Sequence, residues 1–129
     1  MLRFALNKLI RDKIVDQQLA EGSKPKYRVL SRKEHLQELI KKLPEEGGEI
    51  TSATPEKVAS EIADVQQVLD DIMALLGISP EEVRREQARK NQKFGAFKKG
   101  IFIEHIDIDE SIPWVAHYRD NPDRYPEIK

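Results

Sequence analysis

The sequence predicts an all-α protein: a bundle of about four helices with a short extended C-terminal segment. Three observations carry this reading. Helix-start signals recur at Ser31, Thr54 and Ser79. The segments they open repeat apolar residues at the three- and four-residue steps of an amphipathic helix. One stretch, Gly100 to Ile108, has the branched and aromatic content of a strand, while YRVL, Tyr27 to Leu30, is too short to assign.

The first helix is RDKIVDQQLA, Arg11 to Ala20, stopped near Gly22 and followed by a loop-like SKPK. Ser31 then caps a second helix, with Glu34 three residues on to complete a capping box. Its apolar residues are Leu36, Leu39, Ile40 and Leu43. The short break SATP, Ser52 to Pro55, ends it. Thr54 as cap and Pro55 at the first helical position open a third helix that runs to Gly77. Ser79, Pro80 and Glu82 repeat the start signal for a fourth, reaching Phe94. GIFIEHIDI reads as an extended strand, and DESIPWVAHYRDNPDRYPEIK as a surface-wrapping tail ordered by Trp114 and Tyr118. The helical domain is placed at 1–108 and the C-terminal extension at 109–129.

A chain of 129 residues fits one ordinary domain. With 35% charged residues and a formal net charge of −1, it has a charged surface but no overall pull toward polymeric nucleic acid or an anionic membrane. No apolar run approaches the roughly 20 residues that span a bilayer. Arg3 and Lys8 interrupt any signal-peptide core. The chain has no cysteine, which excludes thiolate metal sites and fits a reducing compartment. The expected location is the cytoplasm.

The chemistry concentrates in EEGGEITSATPEKVASEIADV, residues 45–65, where Glu45, Glu46 and Glu49 precede Glu61 and Asp64. At about 100° per residue, Glu46 and Glu49 lie roughly 65° and 125° from the centre of the second helix's apolar stripe. On the third helix the stripe is Val58, Ile62, Val65, Leu69, Ile72 and Leu76. Glu61 and Asp64 lie about 60° and 120° from its centre, with the same rotational sense. The short break makes the helices antiparallel neighbours, so these flanks meet at one edge of the seam. Carboxylates gathered there repel one another and need a cation. An all-oxygen set favours Mg²⁺ or Mn²⁺. A solvated acidic face is the simpler alternative, and the matched offset on both helices counts against it. No Ser-His-Asp or Cys-His arrangement and no P-loop motif accompanies the acids.

The pattern Glu45-Glu46-x-x-Glu49 followed by Glu61-x-x-Asp64 resembles the metal-binding signature of the MazG-like, all-α nucleoside triphosphate pyrophosphohydrolases. The segments NKLIRDKI (Asn7 to Ile14) and KFGAFKKGI (Lys93 to Ile101) are similar to parts of its phosphoribosyl-ATP pyrophosphohydrolase-like branch. The resemblance spans roughly residues 6–104. It implies a Mg²⁺-dependent enzyme, a homodimer or homotetramer, that splits a nucleotide between its α- and β-phosphates. Carried over by position, Glu46, Glu49, Glu61 and Asp64 would hold the metal. Glu45 would hold a second ion or orient the attacking water, which puts Glu45 and Glu46 in the catalytic role. Alternatives are the phosphoribosyl-ATP step of histidine synthesis and a helical binding module without turnover.

The chain departs from the family pattern at Pro44, Gly47 and Gly48, where helix formers are usual. Either a kink is stabilised by packing, with the glycines admitting a close neighbour, or the site is loosened. For substrate the candidates are Lys8 and Arg11 near the N-terminus and Lys90, Asn91, Lys93 and Lys98 beyond the fourth helix's midpoint. A triphosphate needs cations besides the metal. Phe94 and Phe97 read as core residues, with stacking on a nucleotide base as the alternative, and His35, His105 and His117 carry no assigned role.

Overall fold

The computed structural model describes residues 1–129 and is all-helical. Its helices are α1 (Ile14–Ala20), α2 (Arg32–Ser52), α3 (Val58–Leu76), α4 (Pro80–Phe94) and α5 (Trp114–Asp120), with a 3₁₀ turn at Pro55–Lys57 before α3. None is long and apolar enough to cross a membrane. The chain divides into two compact units, Met1–Gln92 and Lys93–Lys129.

In the first unit, α2 and α3 form an antiparallel hairpin, the one extensively packed helix pair. The boundaries follow from local chemistry. Ser31 has extended backbone, and its hydroxyl oxygen accepts the Glu34 N–H at 3.3 Å. The Glu34 carboxylate accepts from the Ser31 hydroxyl at 3.2 Å and from Arg28 at 2.8 Å. These bonds, the Arg28 bond first, hold the Glu34 pKa below its ordinary value of 4.5. Folding lowers this pKa, so the unfolded chain takes up the proton first. The contribution to α2 is complete above about pH 4.5 and lost as pH falls through the lower folded value. Acid unfolding followed by circular dichroism should show this dependence flattened in Glu34→Gln.

The α3 C-terminus closes on Gly77, whose φ of 69° is left-handed. The N–H of Ile78 then reaches back to the Met73 carbonyl at 2.9 Å, a Schellman closure that glycine makes easy. Ser79 caps α4 as expected, accepting the Glu82 N–H at 3.1 Å.

The shielded residues fix the hairpin's register. On α2 they include Leu36, Leu39, Leu43, Glu46 and Ile50; on α3, Val58, Glu61, Val65, Val68, Ile72 and Leu75. Both sets advance by alternating three- and four-residue steps, the period of a coiled-coil seam. Arg32 extends the pairing by donating to the Leu75 carbonyl at 2.8 Å. Only Leu39 (3% exposed) and Val68 (8%) are fully buried. The packed face of α3 is therefore rotated from the stripe expected from sequence. Ile62, Leu69 and Leu76 stay exposed at seven-residue intervals, a second apolar seam that the hairpin does not cover.

A four-helix bundle does not form within the chain. In PEEVRREQARKNQKF the apolar residues are too few to make a stripe, and α4 is exposed along its length. Gly47 and Gly48 also differ from expectation. Helix α2 continues through Pro44 and both glycines to Ser52. A β-carbon placed on either glycine meets nothing within 4 Å, so no close neighbour explains them. Alanine at each should stabilise α2 by about 1 kcal/mol. The double variant should melt several degrees higher in a thermal scan, on the order of 4 °C per kcal/mol.

The second unit contains no strand. Residues 101–109 lie in non-helical backbone and pair with no other segment of the chain in a ladder. The tail is ordered, through α5. Trp114, His117, Tyr118 and Tyr125 pack ring against ring at centroid distances of 5.1 to 6.3 Å. Upstream, Asp109 accepts the N–H and hydroxyl of Ser111 at 2.9 and 2.6 Å, which lowers its pKa and sets the turn.

Candidate metal centre

Glu46 and Glu61 stand in the register of the hairpin's apolar seams, where leucine or valine would otherwise pack. Two carboxylates in such positions lose hydration and repel each other unless a cation lies between them. Asp64, one turn beyond Glu61, joins them. One carboxylate oxygen from each of Glu46, Glu61 and Asp64 lies within 4.8 Å of the others, and all three residues are half-buried. Octahedral oxygen ligands about 2.1 Å from Mg²⁺ stand roughly 3 to 4.2 Å apart. A small side-chain adjustment brings the three oxygens into that range, so the donor set fits a hard divalent cation.

The other predicted residues divide as follows. Glu49 lies at an exposed position on α2 and is not among the three gathered acids. Glu45 is exposed, with its carboxylate 3.6 Å from both Lys8 and Lys42. Arg11 bonds Asp64 through Nη2 to Oδ1 at 2.6 Å. Lys8 and Arg11 thus reach the acids, on a non-helical segment that precedes α1. Lys90 and Asn91 are exposed on α4 and do not line the groove at the acids. Lys93 lies over the Phe94 ring at 5.1 Å, and Lys98 is exposed in the turn after α4.

That groove, about 430 Å³, runs between the Lys8–Asp12 segment and the hairpin. Glu46 and Asp64 mark one part of it; His35, Gln67 and Asp71 also line it. At 1.5 Å per residue, His35 lies about 16 Å along α2 from Glu46.

Sequence reasoning missed Lys42, whose side chain is only 16% exposed and lies 3.6 Å from the Glu46 carboxylate. The signal was available. Lys42 precedes Glu45 by three residues and Glu46 by four, the spacings at which helix side chains meet. It also missed His35, Gln67 and Asp71. The first repeats on the Leu39–Lys42–Glu46 face, and the other two follow Asp64 by three and seven residues.

Comparison with known proteins brings no match: no family model matches the chain, and no curated protein or solved structure matches it.

Proposed function

We propose that the protein is a Mg²⁺-dependent nucleotide pyrophosphohydrolase of MazG-like type, cleaving a noncanonical nucleoside triphosphate to monophosphate and pyrophosphate. The observation that carries this reading is the convergence of Glu46, Glu61 and Asp64 from two seam-forming helices, beside a groove edged by Lys8, Arg11 and Lys42. A divalent cation held there supplies charge neutralisation at the phosphates and acidifies bound water.

The chain's own groups do the rest. A groove of this volume lies within the range of small-ligand sites. Its length leaves room for a triphosphate at the acids and a base toward His35, Gln67 and Asp71. Lys8, Arg11 and Lys42 offset the phosphate charge. Glu45, at the open edge, accepts the proton as water oxygen attacks the α-phosphorus. The bond from the α-phosphorus to the bridging oxygen breaks, and pyrophosphate leaves with that electron pair. Cleavage of this kind needs positioning and charge more than covalent help. We place the activity in the cytoplasm.

The same reading makes the protein a homo-oligomer. Ile62, Leu69 and Leu76 form a heptad-spaced seam, and α4 has no stripe to cover it. A second hairpin would. Light scattering that returns a monomer at micromolar concentration would remove this part of the proposal.

The test of activity is pyrophosphate release from canonical and modified nucleoside triphosphates and from phosphoribosyl-ATP, with and without Mg²⁺. Metal-dependent release establishes the class, and the preferred compound names the substrate. Absence of release from every compound, with metal bound and the fold intact, leaves a binding module.

A further inference from the structure

We propose that Arg11 is a resident counter-cation of Asp64 that yields the carboxylate to the divalent ion and then grips the substrate's phosphates. The inference rests on the metal reading of Glu46, Glu61 and Asp64, and it goes beyond it by coupling metal entry to phosphate binding.

The geometry points this way in three respects. First, Arg11 holds one of the metal-facing acids directly, Nη2 to Oδ1 at 2.6 Å, although 53 residues separate them. Second, the pair is easy to break. The Arg11 side chain is 62% exposed, and ion pairs in such settings contribute little to stability. Its non-helical segment is held over the hairpin by this pair and by Lys8 with Glu45 at 3.6 Å. Asn7 turns the chain just before it, with a left-handed φ of 47° that asparagine tolerates well. Third, charge at the site is nearly balanced without any ion. Glu45, Glu46, Glu61 and Asp64 face Lys8, Arg11 and Lys42. A divalent cation reverses the local sign, weakening the hold of Asp64 on Arg11. A triphosphate entering the groove then offers the guanidinium paired oxygens that match its fork. Arg11 lines that groove with Lys8 and Lys42, so the transfer needs only a side-chain rotation.

The signature is a pair of effects of opposite sign. Mn²⁺ binding is measured by electron paramagnetic resonance on the full chain, alone and with a non-hydrolysable α,β-methylene triphosphate. In Arg11→Gln, Mn²⁺ alone should bind about three- to fivefold tighter, the competing ion pair being gone. Mn²⁺-dependent affinity for the analogue should fall about tenfold or more, as expected for loss of a charge-assisted bond. Arg11→Lys should bind Mn²⁺ like the parent and recover only part of the analogue affinity, because ammonium lacks the fork.

An arginine that merely fastens the segment would weaken both affinities, and that result overturns the proposal. Unchanged or weaker Mn²⁺ binding in Arg11→Gln, while Glu61→Gln still loses the ion, overturns the proposal and leaves the metal site standing. Failure of the parent and of Arg11→Gln alike to bind Mn²⁺ overturns both.

Discussion

Asp64→Asn and Glu61→Gln should each abolish tight Mg²⁺ binding and reduce pyrophosphate release by at least about 100-fold, while leaving the helix content intact. The magnitude is a floor. Loss of an outer-shell partner alone costs a metal site about 10- to 100-fold, and in the proposed site these residues supply the ligand oxygens themselves. The unusual part of the expectation concerns stability. Most substitutions at a half-buried, hydrogen-bonded position destabilise. Here Glu46 and Glu61 stand in an apolar seam with like charge facing like charge. Neutralising Glu61 removes repulsion and costs no charged partner, since the resident cations reach Glu45, Glu46 and Asp64 instead. In metal-free buffer Glu61→Gln should therefore melt at or above the parent temperature. Asp64→Asn should gain less, because it gives up the ion pair with Arg11. Added Mg²⁺ reverses the order. The parent gains about 2.7 kcal/mol at a hundredfold excess over its dissociation constant, and the variants gain nothing. Parallel melting scans with and without Mg²⁺ decide the matter. A Glu61→Gln protein that is less stable without metal, and still stabilised by it, would return these acids to the status of a solvated face.

The parts legible in the sequence were those set by local rules. Ser31, Ser79 and Gly77 mark helix ends because side-chain oxygens and a left-handed residue satisfy backbone groups within a few positions. The convergence of Glu46, Glu61 and Asp64 was legible from rotation angles because the α2–α3 break is too short for any arrangement but an antiparallel pair. What was lost depended on which of two apolar faces packs. α3 carries one seam through Val65, Val68 and Ile72 and another through Ile62, Leu69 and Leu76, and hydropathy alone does not rank them. The choice of the first brings Glu61 into the seam rather than beside it. On α2, Glu49 stays exposed because it lies off the Leu43–Glu46–Ile50 line, outside the group of gathered acids. GIFIEHIDI shows the converse error. Its residues suit a strand, but strands exist in pairs, and this chain has no second one. α5 escaped because seven residues are too few to show a period, and its order comes from aromatic packing around Trp114.

Leu39→Ala carries the largest expected cost to the fold, about 2–5 kcal/mol, the range for removing a buried leucine side chain. The position is decisive because so little else is buried. With only Leu39 and Val68 fully shielded, the seam has small reserve, and a domain's total stability is typically about 5–15 kcal/mol. Leu69→Ala deletes the same atoms at a site already 40% exposed, so its cost in dilute, monomeric protein should be well under half as large. Urea titration of both variants tests that contrast. Leu39 also lines the groove, one turn before Lys42 and two before Glu46, so its loss reaches the metal centre through the same helix face. If core and site are one cooperative unit, Mg²⁺ should recover part of the lost stability of Leu39→Ala, by the amount its binding free energy allows. A Leu39→Ala protein that unfolds at lower urea and does not respond to Mg²⁺, while the parent does, would mean that losing Leu39 disrupts the metal centre; a parent that does not respond either would mean that the acids bind no ion. A variant that shifts as far as the parent does would tie the ion's binding to the native hairpin. The carboxylates that weaken the seam when bare would then be the ones that close it when the ion is present.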